Sequence, residues 1–541
     1  MEKRPSIVRE IPYRYAVTIA LILIVAGNIV MRLNLLPMPL ERDEGEYAYA
    51  GQLILQGIPP YAGIYNMKLP GMYYIYAGIL RLLGESVTAI HAALAGVTSV
   101  SALLVFILTR RLFHNLTALA AAAFFAILSV NPFVHGLFAH AEHFVLPFVL
   151  AGISLILSSG GDKGRLEIFA GGLALGMAVI IKQHAYTFAG MALCMLLLDP
   201  LAAKGKGFSR AAKDIFLFIL AISLPLVATC LFFYALGLWE NFSFLVFTYA
   251  REYVGMVNLT SALPKLYRNS MAIFGYGGPV LLLAFLGVVM LFMHGEPLKK
   301  RLFVGLFALF SFLAVTPGFY FREHYFILLL PATALLAAFS LRRLFLALPN
   351  TKMIRRSVFV VFLFALATGL ALFLLYPYLF QTDPRGAIRL THTLNPFPES
   401  PPVARYIKEN SHPSDTIAVL GSEPQIYFYS QRRSATGFIY MYPLMEPHPY
   451  ALAMQTKMIH EIESARPKYL VFVNIPTSWL KRHHSRDQVI TWFERYSARH
   501  YQRCALVEIH GDGKTNYFWG DEAARRESAS PLWLSIHRRD H

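Results

Sequence analysis

Apolar stretches long enough to cross a membrane dominate the sequence, and they restrict the fold more than any other feature. A helix needs about 20 mostly apolar residues to span the hydrocarbon core of a bilayer. About eleven such stretches precede residue 381, at 15–36, 87–109, 115–132, 143–159, 166–181, 185–199, 213–237, 275–293, 302–317, 324–341 and 357–380. Hydrophobic residues make up 56% of the chain and charged residues 15%, against roughly 45–50% and 25% in soluble domains. The sequence predicts an α-helical polytopic membrane protein.

The net charge of +17 would suggest nucleic acid in a soluble chain, but its distribution indicates membrane topology instead. Basic residues cluster in alternate connections, at Lys3/Arg4/Arg9/Arg14, Arg110/Arg111, Lys163/Arg165, Lys204/Lys206/Arg210/Lys213, Lys299/Lys300/Arg301 and Arg342/Arg343/Lys352/Arg355/Arg356. Connections rich in Lys and Arg stay in the cytoplasm. We therefore expect a multi-pass protein of the plasma or inner membrane, with a cytoplasmic N-terminus and an extracytoplasmic C-terminal part.

The acid-rich segment at 40–50 lies in the first connection on the predicted outer side. It holds Glu41, Asp43, Glu44 and Glu46, and ionised groups next to a membrane span usually serve a function. A helix is expected to begin just after Asp43 and to run to about Gln56. One interpretation is a capping box between Asp43 and Glu46. The other is that Asp43 acts as a base that accepts a proton from a hydroxyl.

Other polar groups collect in connections on the same predicted side. Lys68 follows in the segment at 66–71, and the segments at 131–143, 239–270 and 318–326 carry further titratable groups. The residues to which we give a substrate-binding role are Lys68, Tyr47, His140, His143, Lys182, Arg322, His324 and Tyr325. This one-sided distribution indicates a site that opens outward.

Several of these residues have a simpler interpretation. His140 and His143 share a helix face, and one interpretation is a metal site. No established zinc spacing accompanies them, so interfacial histidines that satisfy backbone groups are the alternative. Lys182 fits a lysine that reaches toward the membrane surface as well as it fits a phosphate contact. Arg322 and Glu323 form a candidate local ion pair. For Tyr73, Tyr74 and Tyr76 we expect an aromatic belt at the membrane interface.

The sequence changes character after residue 380. We expect 1–380 to be the transmembrane domain and 381–541 to be a soluble extracytoplasmic α/β domain with a frayed, flexible basic tail at Arg525, Arg526, Arg538 and Arg539. Predicted elements are a helix at 402–410, a strand at 416–420, a helix near 424–430, a strand ending at 473, and a hairpin of 504–510 with 515–519. Three cysteines are too few for a disulfide framework.

The order of these features resembles the protein O-mannosyltransferase and aminoarabinose-transferase family of polytopic glycosyltransferases, which have the GT-C fold. The resemblance covers about 10–380. It is carried by Asp43-Glu44 after the first span, Lys68-Leu-Pro-Gly71, Glu142 after the third span and His324-Tyr-Phe before a late span. It implies a polyprenyl-monophosphate sugar donor and an acceptor that is a glycolipid, glycan or protein. We expect no cofactor, and the sequence does not indicate a divalent metal ion.

The resemblance also implies roles for individual residues. Asp43 would be the base with Glu44 its neighbour, Lys68 the contact to the donor phosphate, and Glu142 a second acid near the acceptor. Where the aminoarabinose-transferase pattern has an arginine, this chain has Glu46, which leaves the sugar open. Direct attack assisted by one base would invert the anomeric centre. The alternatives are a transporter, although no paired halves are evident, and a scaffold or receptor that binds ligand through its external domain.

Overall fold

The computed structural model describes residues 7–159, 164–202, 208–293, 295–348 and 353–540. Lys3, Arg4, Lys163, Lys204, Lys206 and Lys352, which belong to the predicted cytoplasmic clusters, lie outside these ranges. Up to residue 376 the α-helices are α1 (Ile7–Leu33), α2 (Arg42–Leu55), α3 (Gly71–Leu83), α4 (Val87–Leu112), α5 (Asn115–Leu128), α6 (Ala141–Ser158), α7 (Gly164–Ile181), α8 (Tyr186–Ala202), α9 (Phe208–Ala235), α10 (Trp239–Ser243), α11 (Ala250–Val254), α12 (Leu259–Leu291), α13 (Leu298–Leu313), α14 (Leu330–Ala347) and α15 (Met353–Tyr376). Short 3₁₀ segments include Pro132–Val134, Gln183–Ala185, Pro317–Phe319 and Glu323–Leu329, and Phe244–Tyr249 and Pro377–Gln381 are π-helical.

Each predicted membrane stretch coincides with a helix. Eight helical segments within the described ranges are long and apolar enough to cross a membrane, at Tyr13–Leu33, Val87–Leu112, Ala141–Ser158, Gly164–Ile181, Ser209–Ala235, Leu259–Leu291, Glu323–Ala347 and Met353–Gln381. Asn115–Leu128 and Gln183–Leu198 are apolar but shorter, and α13 has 16 residues. The predicted fold class of a polytopic helical membrane protein is confirmed, while the count of eleven spans stays a prediction.

The first of two compact units comprises Met1–Leu36, His91–Phe232 and Val257–Thr382. Helix α14 is buried along almost its whole length, so it forms the centre of this unit. Gly287 allows α12 to approach α14 closely, because a Cβ atom at this position would lie 2.2 Å from the backbone oxygen of Leu336. Helices α9 and α15 instead expose large apolar side chains, such as Phe216 and Phe373, which is the composition of lipid-facing surfaces.

The second unit comprises Pro37–Ile90, Phe233–Met256 and Asp383–His541, so α2 and α3 group with the C-terminal part of the chain. Its sheet has the order β2-β1-β3-β6-β4-β5. The strands are β1 (Thr416–Leu420), β2 (Arg433–Ser434), β3 (Tyr469–Asn474), β4 (Tyr501–Ile509), β5 (Thr515–Trp519) and β6 (Leu532–Arg539). Strand β1 pairs in parallel with β2 and β3, and the remaining pairings are antiparallel.

The helices of the C-terminal part cover an apolar core. They are α16 (Pro384–His392), α17 (Ser400–Glu409), α18 (Gln425–Ser430), α19 (Tyr442–Met445), α20 (Ala451–Ala465), α21 (Pro476–Trp479), α22 (Gln488–His500) and α23 (Gly520–Arg525). Buried side chains from the sheet and from α20 and α22 pack together, including Leu470, Met458 and Phe493. The predicted helix at 402–410, the strand at 416–420 and the hairpin of β4 with β5 are confirmed.

The expected frayed tail is wrong for Arg538 and Arg539. Both residues belong to β6, which lies between β3 and β4 in the sheet. Leu534 and Ile536 within this strand are fully buried. The apolar run that begins at Leu532 therefore supplies the driving force for pairing, and the basic residues only mark the end of the strand. Arg525 ends helix α23.

Candidate functional site

Helix α2 carries the acid-rich segment, and Glu41 is its N-cap. The Glu41 side chain accepts a hydrogen bond from the backbone N–H of Glu44 at 2.8 Å, and the Glu44 side chain accepts one from the backbone N–H of Glu41 at 3.2 Å. This reciprocal pair is a capping box. The predicted box between Asp43 and Glu46 is therefore wrong by two residues, and the side chains of Asp43 and Glu46 have other partners.

Lys68 lies between the carboxylates of Asp43 and Glu46. Its Nζ atom is 2.8 Å from Asp43 Oδ1 and 2.6 Å from Glu46 Oε2. The Glu46 side chain is fully buried, whereas Asp43 keeps 20% and Lys68 23% of its side chain exposed. A carboxylate is rarely buried without such a partner, since the unpaired charge is costly. The segments at 40–50 and 66–71 thus meet in one ionic cluster, which is reachable at Asp43 and Lys68.

The charge state of this cluster follows from burial and pairing. Burial alone would lower the pKa of Lys68, but the carboxylates of Asp43 and Glu46 outweigh it and hold that pKa well above its usual range. Burial raises the pKa of Glu46, and the charge of Lys68 opposes this effect. Lys68 is therefore a cation at neutral pH.

Tyrosine side chains surround the ionic cluster. The Tyr440 hydroxyl donates a hydrogen bond to Asp43 Oδ1 at 2.6 Å, and the Tyr73 hydroxyl donates one to Glu46 Oε1 at 2.5 Å. Burial raises the pKa of both tyrosines well above the usual range, and the neighbouring carboxylates add to the effect, so both stay protonated donors. The Nζ atom of Lys68 also lies 4.5 Å from the ring centre of Tyr47, within the range of a cation–π contact.

The expected aromatic belt is wrong for two of its three members. Tyr73 is 1% exposed and Tyr76 is 0% exposed, so neither presents its ring to a membrane interface. Both rings pack near Tyr47, with centroid distances of 6.0 and 5.4 Å. Only Tyr74 of the three is exposed. The other two rings shape the surroundings of Lys68 instead.

Tyr440, which contacts this cluster, and Arg42, which lies beside it in the chain, had no recognisable signal in the sequence. Tyr440 is 397 residues from Asp43 along the chain, and its role depends entirely on folding. Arg42 bonds with Glu423 at 2.7 Å and donates to the backbone oxygen of Ser422. These contacts attach the start of α2 to the segment before α18 and fix the position of Asp43.

A second polar cluster lies in the first unit, around Glu142. Lys182 forms an ion pair with Glu142, whose side chain is fully buried. His324 Nε2 lies 3.9 Å from Glu142 Oε1, and Lys182 Nζ lies 4.9 Å from the ring centre of Tyr325. The structure therefore brings together four predicted site residues from three separate parts of the sequence.

The remaining predicted residues lie at or near this second cluster. The His140 ring stacks on His324 with a centroid distance of 4.3 Å. His143 is buried in α6, but it belongs to none of the groups of described residues whose ligand atoms are close enough to share a metal ion. The guanidinium carbon of Arg322 lies 5.5 Å from the ring centre of Tyr320.

Comparison with known proteins gives matches at the level of the fold. No protein-family model matches the sequence, and no curated protein does. ArnT from Cupriavidus metallidurans bound to undecaprenyl phosphate is similar with a TM-score of 0.59 at 14% identity, over 95% of this chain and 97% of ArnT. An Archaeoglobus fulgidus oligosaccharyltransferase tethered with an acceptor peptide gives a TM-score of 0.53 at 12% identity, over 94% of this chain and 74% of that one. The oligosaccharyltransferase AglB of the same organism, in complex with a dolichol-phosphate, gives 0.51 at 12% identity, over 94% and 75%. The predicted GT-C fold is confirmed.

Proposed function

We propose that this protein is an integral-membrane glycosyltransferase that takes a sugar from a polyprenyl-monophosphate donor. The observation that carries the proposal is the ionic cluster of Asp43 and Lys68, partly exposed in a chain with the GT-C fold. Two proteins of similar fold bind lipid phosphates, namely undecaprenyl phosphate and a dolichol-phosphate. A sugar carried on such a lipid needs no nucleotide pocket. It needs a base for the acceptor hydroxyl and a cation for the departing phosphate.

Asp43 is the proposed base. It accepts hydrogen bonds from Lys68 and Tyr440, and donors of this kind favour the ionised carboxylate. As the acceptor oxygen attacks the anomeric carbon, its proton moves to Asp43, and the bond between that carbon and the phosphate oxygen breaks with its electron pair on the phosphate. Glu44 is buried in the capping box, so we assign it to the helix start rather than to proton transfer.

Lys68 is the proposed contact to the donor phosphate. A cation that meets the phosphate stabilises the charge that develops on the leaving group. Glu46 and the ring of Tyr47 hold the ammonium group from the buried side. Their contacts can keep Lys68 in place while its exposed side turns from Asp43 toward a phosphate oxygen.

Glu142 is the proposed second acid, and Lys182, His324 and Tyr325 are its partners in substrate binding. The ion pair with Lys182 keeps a buried carboxylate compensated. His140, His143 and Arg322 complete the proposed substrate-binding set. An acceptor hydroxyl could donate a hydrogen bond to the Glu142 carboxylate and accept one from the Lys182 ammonium group.

We further propose inversion at the anomeric centre and transfer on the outer face of the membrane. Retention would need a second carboxylate as nucleophile, and Glu46, the acid beside Asp43, is buried and bonded to Tyr73 and Lys68. The outer face follows from the basic residues of the alternate connections, such as Arg110 and Arg111.

Mass spectrometry of glycans and glycolipids from a deletion strain tests this function. We expect the loss of one defined sugar, which would name both the donor sugar and the acceptor. Purified protein reconstituted in liposomes tests the alternative function of a transporter. Uptake of a solute by such liposomes, with unchanged glycans in the deletion strain, would contradict the transferase and support the transporter.

A further inference from the structure

A cavity of about 450 Å³ lies in the C-terminal part of the second unit. Its lining comes from the end of α20, the second half of α22 and the end of β6. The volume is in the range of binding sites for small molecules. No residue of this lining belongs to the ionic cluster around Lys68 or to the polar cluster around Glu142, so the proposed sugar transfer leaves the cavity without a role.

The lining carries an excess of positive charge. Arg466, Arg495, Arg499 and Arg539 contribute four guanidinium groups, and Glu463 is the only carboxylate among the described residues that line the cavity. Within the described part of the chain, none of the four arginines forms an ion pair with a carboxylate. The cavity is therefore electrostatically suited to an anion.

Two of the arginines are one turn apart on the same helix. Arg495 and Arg499 occupy positions i and i+4 of α22, and both are exposed. Like charges at this spacing destabilise a helix. The dipole at the end of α22 favours a cation at Arg499 but acts little on Arg495, which lies a turn earlier. An anion that contacts both guanidinium groups would compensate for their repulsion.

Aromatic rings form another part of the lining. Tyr496 stacks on Trp492 with a centroid distance of 4.9 Å and an interplanar angle of 20°. Trp492 Nε1 donates a hydrogen bond to Glu463 Oε1 at 2.7 Å, which fixes the orientation of the stack. Trp492 is buried, whereas Tyr496 is partly exposed. A tyrosine offers an apolar ring and a hydroxyl group, which suit the C–H face and the hydroxyl groups of a sugar.

We propose that this cavity binds a sugar unit that carries an anionic group, either a phosphate or a carboxylate. The fork of N–H donors on an arginine matches the oxygens of both groups, and Tyr496 packs against the sugar ring. A membrane surface fits less well, because binding to it usually requires exposed apolar side chains, and the lining has none among its described residues. Binding of this sugar is separate from the proposed sugar transfer, since it needs no donor lipid.

Isothermal titration calorimetry of the purified full-length protein in phosphatidylcholine nanodiscs tests this site. The probes are glucose 6-phosphate and glucuronate, with glucose as the uncharged control. We expect saturable binding of the anionic probes that weakens as NaCl is added, because salt screens exposed charges, and no measurable binding of glucose. Arg495→Gln and Arg499→Gln should each weaken binding about tenfold, as for the loss of a charge-assisted hydrogen bond.

Arg405→Gln is the matched control, because Arg405 is an exposed arginine on α17 that does not line the cavity. It should bind the probes as the wild type does. Absence of saturable binding in the wild type would overturn the proposal, and so would equal affinity in the wild type and the double variant of Arg495→Gln with Arg499→Gln. The latter result would place the bound probe elsewhere, for example at Lys68, and would leave the proposed sugar transfer intact.

Two further comparisons identify the source of the anion. Inorganic phosphate should bind more weakly than glucose 6-phosphate, and equal affinity would contradict a contact with the sugar ring. Nanodiscs that contain phosphatidylglycerol should leave the affinity for glucose 6-phosphate unchanged. Loss of binding in these nanodiscs would show that lipid headgroups occupy the cavity, which would contradict a site for a sugar.

Discussion

Lys68 is the proposed contact to the donor phosphate, and its substitution tests that contact. We expect Lys68→Met to weaken binding of undecaprenyl phosphate and to lower turnover, because a phosphate contact acts in the ground state and in the transition state. Native mass spectrometry of the purified protein measures the binding, with undecaprenol, which lacks the phosphate, as the control lipid. Equal binding of undecaprenyl phosphate by the variant and the wild type would contradict the proposed contact.

The same substitution should also lower the thermal stability. Lys68 pairs with Glu46, which is fully buried, and removal of one partner of a buried pair costs about 3–5 kcal/mol. Glu46→Gln added to Lys68→Met removes the uncompensated charge, so the double variant should regain most of the lost unfolding temperature without regaining lipid binding. If the unfolding temperature and lipid binding recover together in the double variant, the loss of lipid binding in Lys68→Met was a consequence of instability.

The local sequence was sufficient to select Asp43 and Lys68 as candidates, but not to predict that they pair or what surrounds them. Closely spaced carboxylates after a membrane span and a lysine in the next loop are local features. The capping role of Glu41 in place of Asp43 depends on a helix boundary, and such boundaries are uncertain by one or two residues. Tyr440 and Arg42 act across almost 400 residues, and no short pattern marks such contacts.

Among the secondary-structure elements, strand β6 makes the stability of the sheet depend on pH. Burial, with the charge of Arg503, lowers the pKa of His537 to about 4. The unfolded chain takes up a proton near pH 6.5, whereas the folded chain does so only near pH 4, so this histidine makes stability fall as the pH falls through that window. The expected loss is on the order of 3 kcal/mol.

Thermal unfolding at several pH values measures this effect. Four of the five tryptophans lie after residue 470, so tryptophan fluorescence of the full-length protein follows mainly this part of the chain. The unfolding temperature should fall more steeply between pH 6.5 and 4.5 in the wild type than in His537→Gln. Parallel curves for the two proteins would show that His537 protonates at the same pH in the folded and unfolded chains.

Truncation tests the position of β6 within the sheet. This strand pairs with six residues of β3 and eight residues of β4, so removal of residues 529–541 should divide the sheet and leave β3 and β4 each with one unpaired edge. We expect rapid cleavage of the C-terminal part by trypsin, whereas removal of residues 540–541 alone should have no effect. Equal resistance of both truncated proteins would support the frayed tail that the basic residues first indicated.

Elements with a continuous apolar or amphipathic pattern were predicted from the sequence with nearly correct limits, as β1 and α17 illustrate. Strand β6 was missed because its apolar run is short and ends in basic residues, and because strand pairing is a contact between distant segments. Burial of Tyr73 and Tyr76 was missed for a related reason. A tyrosine suits a membrane interface and a protein interior equally well, and only the packing partners decide between them.

For the whole molecule, the predicted topology places the segments at 37–86 and 381–541 outside the cytoplasm. Cysteines introduced at the exposed Ser86 and Ser414, with the three native cysteines replaced by alanine, should react with an impermeant thiol reagent in intact cells. Ser209→Cys, in a basic connection, should react only after permeabilisation. The reverse pattern would invert the assigned orientation.

The class of the whole fold followed from the spacing of apolar stretches and from the order of a few polar motifs. The grouping of Pro37–Ile90 with the C-terminal part could not be predicted in this way, because it depends on contacts such as those of Arg42 with Glu423 and Ser422. The second polar cluster, around Glu142, likewise depends on contacts between distant segments. Glu142, Lys182 and His324 were each noticed in their own segments, but the distances between them could not be inferred from the sequence.

Asp43→Asn provides the most direct test of the proposed function. The variant keeps the size of the side chain and leaves the Glu41 cap intact, but it removes the proton-accepting charge, which typically costs about 10²–10⁴ in rate. The measurement is mass spectrometry of glycans and glycolipids from the deletion strain complemented with the wild type or with Asp43→Asn at equal protein levels. We predict that the wild type restores the missing sugar and that the variant does not, although the purified variant still binds undecaprenyl phosphate. Restoration by the variant, with more than about a tenth of the wild-type turnover, would contradict the assignment of Asp43 as the base.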